Sequence, residues 1–145
     1  MAQGDVTVFD EAKAKMIEGD WASTDNFYLA ICDNTAAPTA GTATPVIGDF
    51  TQVGAAGSYT TNGTDLGALS TLVTEAAGTM TFDSGTNPTW AQNASNDVDA
   101  YWGIIYNFTD AGKDAVAFVD LGGPVDMTAG DLTVTWNASG IFTIA

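Results

Sequence analysis

The pattern of apolar and polar positions predicts one helix near the start of the chain, followed by many short strands. Phe9, Ala12, Met16 and Ile17 recur at helical spacing, and Gly19 offers a C-terminal stop. Acidic residues come before the lysines in this segment, an order that suits the helix dipole. Because the apolar stripe is narrow, we expect the helix to cover one side or edge of a sheet.

The segment before the helix alternates apolar and polar residues, with Val6 and Val8 as its apolar members. We predict an extended arm over residues 1–8 and a single β-rich domain over residues 9–145. A chain of 145 residues is most simply one domain. Domains of this size bury about 68–70% of the surface that the unfolded chain exposes, so a substantial core is expected.

Beyond the helix, the apolar residues alternate with polar ones or form short runs, and both patterns are typical of strands. Residues 26–33 predict a strand that is covered on both faces. Residues 98–108 are the most apolar stretch and predict a central strand. Residues 130–145 predict a closing strand, with Leu132 and Trp136 on its core face.

Shorter strands are predicted between these long ones. Residues 46–53, 58–61 and 64–69 have the pattern, and the last two would face each other across Asn62-Gly63, a dipeptide suited to a type I′ hairpin turn. For residues 66–78 a helix is an alternative, although the Thr and Gly content favours strand and loop. We therefore predict a mainly β fold, an antiparallel sandwich or a jelly-roll or barrel-like single domain with one short helix.

Charge limits the partners. Eighteen acidic residues stand against three lysines and no arginine, for a net charge of -15. Such a surface repels phosphate groups, so we expect no nucleic acid and no anionic membrane as partner. The negative charge either attracts a basic protein surface or only keeps the protein soluble. Solubility is the favoured interpretation, because a net charge far from zero commonly has that effect.

The residues needed for common enzymatic chemistry are scarce. The chain has no His, which excludes Ser-His-Asp triads and His-ligated zinc, and Cys32 is the single cysteine, expected to be buried and inert. Asp97 and Asp99 would share one side of a strand and could form a carboxylate pair or calcium site, but Asn and Asp clusters are more often turns. We predict no enzyme, no cofactor and no metal.

Four tryptophans could line a carbohydrate-binding platform if they were exposed: Trp21, Trp90, Trp102 and Trp136. Each lies in or beside an apolar run, so burial in the core or at a subunit interface is favoured. A carbohydrate- or cell-surface-binding β-sandwich therefore stands as an alternative function. Its main argument would be an exposed pair.

Three stretches carry a resemblance to a known class of protein. MAQGDVTVFDEAK, GSYTTNGTDL and DLGGPVDMTAGDLTVTWNASGIFTIA resemble small structural proteins encoded among the virion genes of tailed bacteriophages. The resemblance covers most of the chain in order. Ser58 between Gly57 and Tyr59, and Asn62 before Gly63, depart from the tighter glycine pair typical of that class.

The resemblance implies a non-enzymatic capsid decoration, or cement, protein that binds the major capsid protein lattice on the outer capsid surface. It also implies self-association, as a trimer or other homo-oligomer, and a tail or head-fibre component is the alternative within virions. The start MAQGDVTVFDEAK has no basic segment followed by an apolar one, and no run is long enough to span a membrane, so we expect synthesis in the host cytoplasm.

The arm, the proline-containing loop over residues 34–45 and the apolar end segment are the expected contact regions, because strands can be added to a neighbour at such places and long loops are often functional. The alternative is that both end segments pair inside their own sheet. The predicted partner-contact residues are Val6, Val8, Phe9, Pro38, Pro45 and Phe142.

Overall fold

Ten strands and two short helices make up the part of the chain that the computed structural model describes, residues 1–144. Strands hold 38% of the residues and helices 11%, so the protein is mainly β, as its sequence predicts. In chain order the elements are β1 (Val6–Val8), α1 (Asp10–Glu18), β2 (Asn26–Cys32), a 3-10 helix (Ile47–Asp49), β3 (Thr64–Ala68), α2 (Leu69–Leu72), β4 (Val73–Ala76), β5 (Thr79–Phe82), β6 (Thr89–Trp90), β7 (Ala100–Asn107), β8 (Ala115–Val125), β9 (Leu132–Thr133) and β10 (Phe142–Ile144).

The strands form three antiparallel sheets. A five-stranded sheet has the order β1-β8-β7-β2-β3, a three-stranded sheet the order β10-β5-β4, and a two-stranded sheet joins β6 to β9. Every strand pair is antiparallel. The arrangement is consistent with a single sandwich-like domain.

Strands β2 and β7 form the middle of the large sheet and are buried on both faces. Leu29 and Ile31 lie on one face and Ala30 and Cys32 on the other, all at most 1% exposed. Their neighbour β7 is the central strand that the sequence predicts. Continuous apolar runs form such strands because neither face meets water.

Four aromatic side chains join the large sheet to the three-stranded sheet, and we call them the aromatic column. Phe27 of β2 lies with its ring centroid 5.8 Å from that of Phe82 in β5, nearly edge to face. Trp21 contacts Phe27 at 5.4 Å, and Phe142 of β10 stacks on Phe82 at 4.8 Å. Such pairs add about 0.5–1.5 kcal/mol each beyond the apolar area they bury.

Helix α1 confirms the predicted helix and its stop. Gly19 takes the left-handed conformation, with φ 76°, and its N–H donates to the carbonyl of Lys15. Only Ala12 of the helix is fully buried. Ile17, which we expected on the apolar stripe, is 88% exposed, so the buried side of the helix is narrower than the spacing suggested.

Residues 1–8 are extended but do not form a free arm. Strand β1 pairs with β8 along Val6–Val8, and Gly4 donates a hydrogen bond to the carbonyl of Asp120. The side chain of Gln3 donates to the carbonyl of Leu121. The segment therefore forms an edge of its own sheet, which is the alternative that the sequence left open.

The predicted hairpin across Asn62-Gly63 is wrong. The turn is closed by a bond from Gly63 N–H to the carbonyl of Thr60, and β3 pairs with β2. At Gly63, with φ 83°, a Cβ would lie 1.9 Å from the carbonyl oxygen of Leu29. The glycine thus lets the chain approach β2, and residues 58–61 remain outside any sheet.

Two other predicted strands differ from the structure. Residues 46–53 contain the 3-10 helix and two isolated bridges, from Val46 to Asp114 and from Gln52 to Cys32, but no strand. Residues 66–78 combine both alternatives, because β3 runs into α2 and then β4. Short apolar runs do not distinguish a strand from a helical turn, so the local pattern left this choice to tertiary contacts.

The closing segment shows the predicted alternation of buried and exposed residues, but it is not one continuous strand. Leu132 and Val134 are buried, and Trp136 is half-buried, on the predicted side. The chain then turns at Gly140, with φ 98°, so β9 and β10 belong to different sheets. Part of the prediction falls on Ala145, which lies outside the described residues.

Gly103 of β7 offers a test of how tightly the large sheet is packed. A Cβ there would lie 2.6 Å from Val119 Cγ1 and 3.1 Å from Leu29 Cδ1, both buried. We expect Gly103→Ala to lower the free energy of unfolding by about 1–3 kcal/mol in urea titrations, because the core cannot accept a methyl group without strain. Gly48→Ala is the matched control, since nothing lies within 4 Å of its Cβ position. Equal stability of both variants would contradict the packing.

Candidate partner-contact surface

Three of the six predicted contact residues are buried within the protomer. Phe9 is 0% exposed and packs against Phe50 and Phe118, with ring centroids 6.0 and 5.0 Å away. Pro38 and Pro45 are buried as well. These side chains are held inside the domain and are not available to a partner in this conformation, so the corresponding predictions are corrected.

The loop over residues 34–45 is tied to its own domain. Ala40 accepts a hydrogen bond from Asp10 N–H, and Thr44 N–H donates to the carboxylate of Glu11. At its end, the carbonyl of Pro45 accepts from Ala115 of β8. The loop thus closes over the start of α1 and lends little support to a contact rim built on its prolines.

Strand β1 presents an open edge through Val6 and Val8. Asp5 and Phe9 exchange backbone hydrogen bonds with β8, through Asp120 N–H and the carbonyl of Val116. Bonded residues alternate along an antiparallel pair, so the N–H and C=O groups of Val6 and Val8 point away from β8. Both side chains are half-buried. This edge lies at the end of the large sheet and can accept another strand.

Phe142 lies on the other outer strand, β10, at the edge of the three-stranded sheet. Its half-buried ring stacks on Phe82 with an interplanar angle of 7°. Ile144 on the same strand is 42% exposed. The predicted contact residues on β1 and β10 therefore lie on different sheets, and the structure does not bring them into one site.

An apolar groove that the sequence did not predict lies beside the three-stranded sheet. It has a volume of about 360 Å³. Helix α1, the loop after it, α2, β4 and β5 each contribute to the wall. The lining residues are Lys15, Met16, Gly19, Trp21, Ser23, Leu69, Ser70, Val73, Met80 and Phe82.

At its polar end the groove is bordered by an ion pair between Lys15 of α1 and Asp114, the residue that precedes β8. Lys15 Nζ lies 2.5 Å from Asp114 Oδ2, and the two side chains are 25% and 16% exposed. Trp21 Nε1 lies 3.5 Å from the same oxygen. The hydrogen bond to Asp114 raises the pKa of Lys15, with Glu11 and Asp20 adding to the effect through their charge. Lys15 therefore stays protonated, and its positive charge is balanced by the carboxylate of Asp114 in the same chain.

The three lysines are all engaged. Lys13 pairs with Asp10 at 2.8 Å on the exposed side of α1. Lys113 Nζ donates to the carbonyl of Phe108 and lies 3.9 Å from the centroid of that ring. Because each cation has a partner within the chain, the surplus of carboxylates dominates the field at the surface.

Asp97 and Asp99 do not form a paired site on a strand, because β7 begins after them at Ala100. One oxygen of Asp97 accepts from Gly54 N–H at 2.9 Å, and the other accepts from Val98 N–H at 2.8 Å and from Asp99 N–H. The bond from Gly54 is the main reason that the pKa of Asp97 lies below its usual value. Asp97 thus anchors a loop, which agrees with the turn interpretation.

Cys32 is buried, as predicted. Its side chain is 1% exposed, and desolvation raises the pKa of the thiol to about 12. A thiol with so high a pKa carries almost no thiolate at neutral pH and is a poor nucleophile. Within residues 1–144, no three His, Cys, Asp or Glu side chains are grouped closely enough to hold a metal ion.

None of the four tryptophans is fully exposed. Trp90 is 4% exposed and lies near Tyr59, while Trp21, Trp102 and Trp136 are half-buried. The indole N–H of Trp102 donates to Asn34. Each contacts a Phe or Tyr of the core or a neighbouring loop residue, and no two tryptophans stack in the described part of the chain, so the platform argument for carbohydrate binding loses its basis.

Comparison of the chain with protein-family models, with curated protein sequences and with solved structures found no match. In the described part of the chain, no helix has the length and apolar character needed to cross a membrane. Three places remain as candidate contact surfaces on the grounds of geometry: the open edge of β1, the outer strand β10 and the apolar groove.

Sequence reasoning missed the groove because its wall comes from five separate segments. Residues 66–78, which include Leu69 and Val73, are predicted as strand and loop or as a helix, and Trp21 is predicted to lie in the core or at a subunit interface. The only local signal is the i, i+3, i+4 spacing of Leu69, Leu72 and Val73, which is typical of a helix and not of a strand. Their convergence with α1 depends on tertiary structure.

The anchoring role of Asp97 predicts a pH-dependent contribution to stability. Its folded pKa is lowered, so the ionised carboxylate stabilises the fold above the unfolded value of about 3.9, and this stabilisation is lost as the pH falls through the folded pKa. We expect Asp97→Asn to cost about 1 kcal/mol at pH 7, allowing for solvent screening, and less below pH ~4. Thermal unfolding of both proteins from pH 7 to pH 3 measures the difference.

Asp99→Asn is the control for this experiment, because Asp99 is exposed and only its backbone N–H takes part in the loop. Its melting temperature should follow that of the unmodified protein at each pH. A constant penalty for Asp97→Asn across the whole range would show that the charge of the carboxylate is not what anchors the loop.

Proposed function

We propose that this protein is a non-enzymatic structural component of a tailed-phage virion, which decorates the outer capsid surface and reinforces the lattice of the major capsid protein. The observation that carries the proposal is the open edge of β1, with backbone groups of Val6 and Val8 directed away from the sheet. The resemblance of three sequence stretches to small virion proteins supplies the biological setting.

An open strand edge suits repeated binding on a lattice. Backbone hydrogen bonds from an added strand provide affinity that does not depend on a deep pocket. Each contact can be weak, because a symmetric shell repeats it many times and neighbouring contacts reinforce one another. A second outer strand, β10, on a different sheet would let one protomer contact two neighbours or a second copy of itself.

The charge supports a protein partner with basic character. A net charge of -15 disfavours the packaged nucleic acid and favours complementary patches on a shell protein. A tail or head-fibre location would use the same edges, and its distinction from the capsid surface is a matter of copy number. A carbohydrate-binding role has no comparable support, because the four tryptophans are at least half-buried.

Copy number in the particle tests the location. We expect quantitative mass spectrometry of purified virions to find this chain at a ratio to the major capsid protein near one, because a decoration protein follows the lattice. A few copies per particle would move the protein to the tail or a fibre. Absence from particles would contradict the virion proposal.

Proline substitution tests the strand edge. The N–H of Val6 points away from β8, so Val6→Pro should leave the melting temperature within a few degrees of the unmodified protein while it abolishes docking of an added strand. Thr7→Pro is the matched control. Bonded residues alternate along β1, so Thr7, like Asp5 and Phe9, directs its N–H toward β8, and its replacement should lower the free energy of unfolding by about 3 kcal/mol. Binding of the Val6→Pro protein to undecorated capsids is then measured by co-sedimentation.

Normal capsid binding by a stable Val6→Pro protein would show that β1 is not the contact edge. Capsid binding that is lost in Val6→Pro but kept in the β4 variant Glu75→Pro would support β1 specifically. Glu75 lies on the outer strand of the three-stranded sheet, and its N–H also points away from the neighbouring strand, because bonded residues alternate and Leu72, two positions before Thr74, is bonded to Asp83 of the segment after β5.

A further inference from the structure

The groove beside the three-stranded sheet is an apolar concavity open to solvent. Met16, Trp21, Leu69, Val73 and Met80 line it and are all half-buried, so each leaves part of its apolar surface accessible. Phe82 of the aromatic column forms part of the wall and is buried. A concentration of half-covered large apolar side chains in one depression marks a place where a partner can be bound.

The rim of the groove is acidic. Glu18 and Asp20 are exposed and flank Gly19, which belongs to the lining. Glu75 of β4 is exposed, is two residues from Val73 and pairs with Met80, so it lies on the groove side of its strand. Lys15, the single cation of the lining, is neutralised by Asp114. The depression is therefore apolar at its floor and negative around its edge.

We propose that the groove between α1 and the three-stranded sheet is a docking site for a protein segment that presents one large apolar side chain flanked by lysine or arginine. A volume of 360 Å³ lies at the low end of ligand sites, which run from about 300 to 1,000 Å³, and suits a single anchoring side chain. Anchors of this kind dominate binding when they fill a pocket, and rim charges steer the approach.

A second copy of this chain is the less suitable occupant. Two protomers would each bring a net charge of -15, and the exposed Ile17 beside the groove is flanked by Met16 and the acidic Glu18. An acidic segment entering an acidic rim would be repelled. Charge complementarity therefore favours a basic partner, and the inference rests on the proposed function only for taking that partner to be a protein.

The four methionines provide the readout. Met16 and Met80 line the groove, whereas Met127 is 0% exposed and Met1 is 59% exposed outside it. In the full chain labelled at the methionine methyl groups, a capped peptide with one tryptophan flanked by lysines should shift the Met16 and Met80 signals in a saturable manner. The Met1 and Met127 signals should stay in place. Salt should weaken the binding, because exposed charges steer it.

Two matched peptides define the chemistry. Replacement of the lysines by glutamates should abolish the shifts, and replacement of the tryptophan by alanine should weaken binding at least tenfold. Equal binding of the glutamate peptide, or equal shifts of all four methionines, would overturn the proposal. The same shifts with neutral phosphatidylcholine vesicles in place of peptide would identify a lipid site and overturn it as well.

Variants locate the site on the protein. Val73→Glu should weaken binding at least tenfold, because it places a charge in the apolar wall. Thr74→Glu, an exposed change on the other face of the same strand, should leave binding unchanged. If Val73→Glu does not fold, the methionine shifts of the unmodified chain still decide the question.

The rim is tested by the double variant Glu18→Gln, Asp20→Asn, which should weaken peptide binding roughly two- to fivefold at low salt. Asp99→Asn, Asp126→Asn is the matched control of equal charge change. Asp99 and Asp126 lie next to the paired residues Ala100 and Val125, at one end of β7. Phe27, which belongs to the aromatic column beside the groove, pairs with Asn107 at the other end of β7, so the control residues are far from the groove. Equal weakening by both double variants would show a general charge effect and overturn the role of the rim.

Failure of this inference is distinguishable from failure of the proposed function. If the protein has the expected copy number in particles but binds no peptide, the docking-site inference is wrong and the capsid proposal still stands. Peptide binding by a protein that is absent from particles would support the groove as a docking site for basic protein segments and would contradict the virion proposal.

Discussion

The contact between Phe27 and Phe82 holds the structure together, because it is where the large sheet meets the three-stranded sheet. Phe27 is fully buried in a strand at the middle of the large sheet, and Phe82 is 1% exposed. Trp21 and Phe142 extend the contact on either side. Without this aromatic column, a strand pair as short as β4 and β5 would have no face against which to bury its apolar residues.

The same column shapes the candidate docking groove. Trp21 and Phe82 belong to both, so the packing that joins the sheets also fixes the position of the groove wall. The Lys15–Asp114 pair then holds α1 against the loop that leads into β8. A site on such rigid elements needs little reorganisation to bind, which lowers the cost of association.

Two separate surfaces are proposed for partner binding, one at a strand edge and one at the acidic groove. The open edge of β1 offers directional backbone hydrogen bonds, and the groove offers an apolar pocket with a negative rim. Neither needs a catalytic group, and the side chains that suggested chemistry have structural tasks: Asp97 anchors a loop and Cys32 fills the core. Two separate contact surfaces of this kind would be compatible with the proposed lattice role, in which weak contacts are repeated many times.

The sequence by itself determined the mainly β class, α1 with its glycine stop, the burial of β2 and β7, and the in-out alternation of Leu132 and Val134. These features follow from local periodicity, which requires only that one or both faces of an element be dry. It also determined the acidity, since net charge does not depend on the fold.

Tertiary structure alone decided which strands pair and what surface results. Asn62-Gly63 has the local signal of a hairpin, yet Gly63 serves the close approach to Leu29 of β2. Phe9, Pro38 and Pro45 looked like contact residues and became buried, while Ile17 did the reverse. The groove as a whole cannot be predicted from any local pattern, because residues from five segments meet only after the sheets pack. Pairing and convergence depend on contacts between residues far apart in the chain, and periodicity carries no information about those contacts.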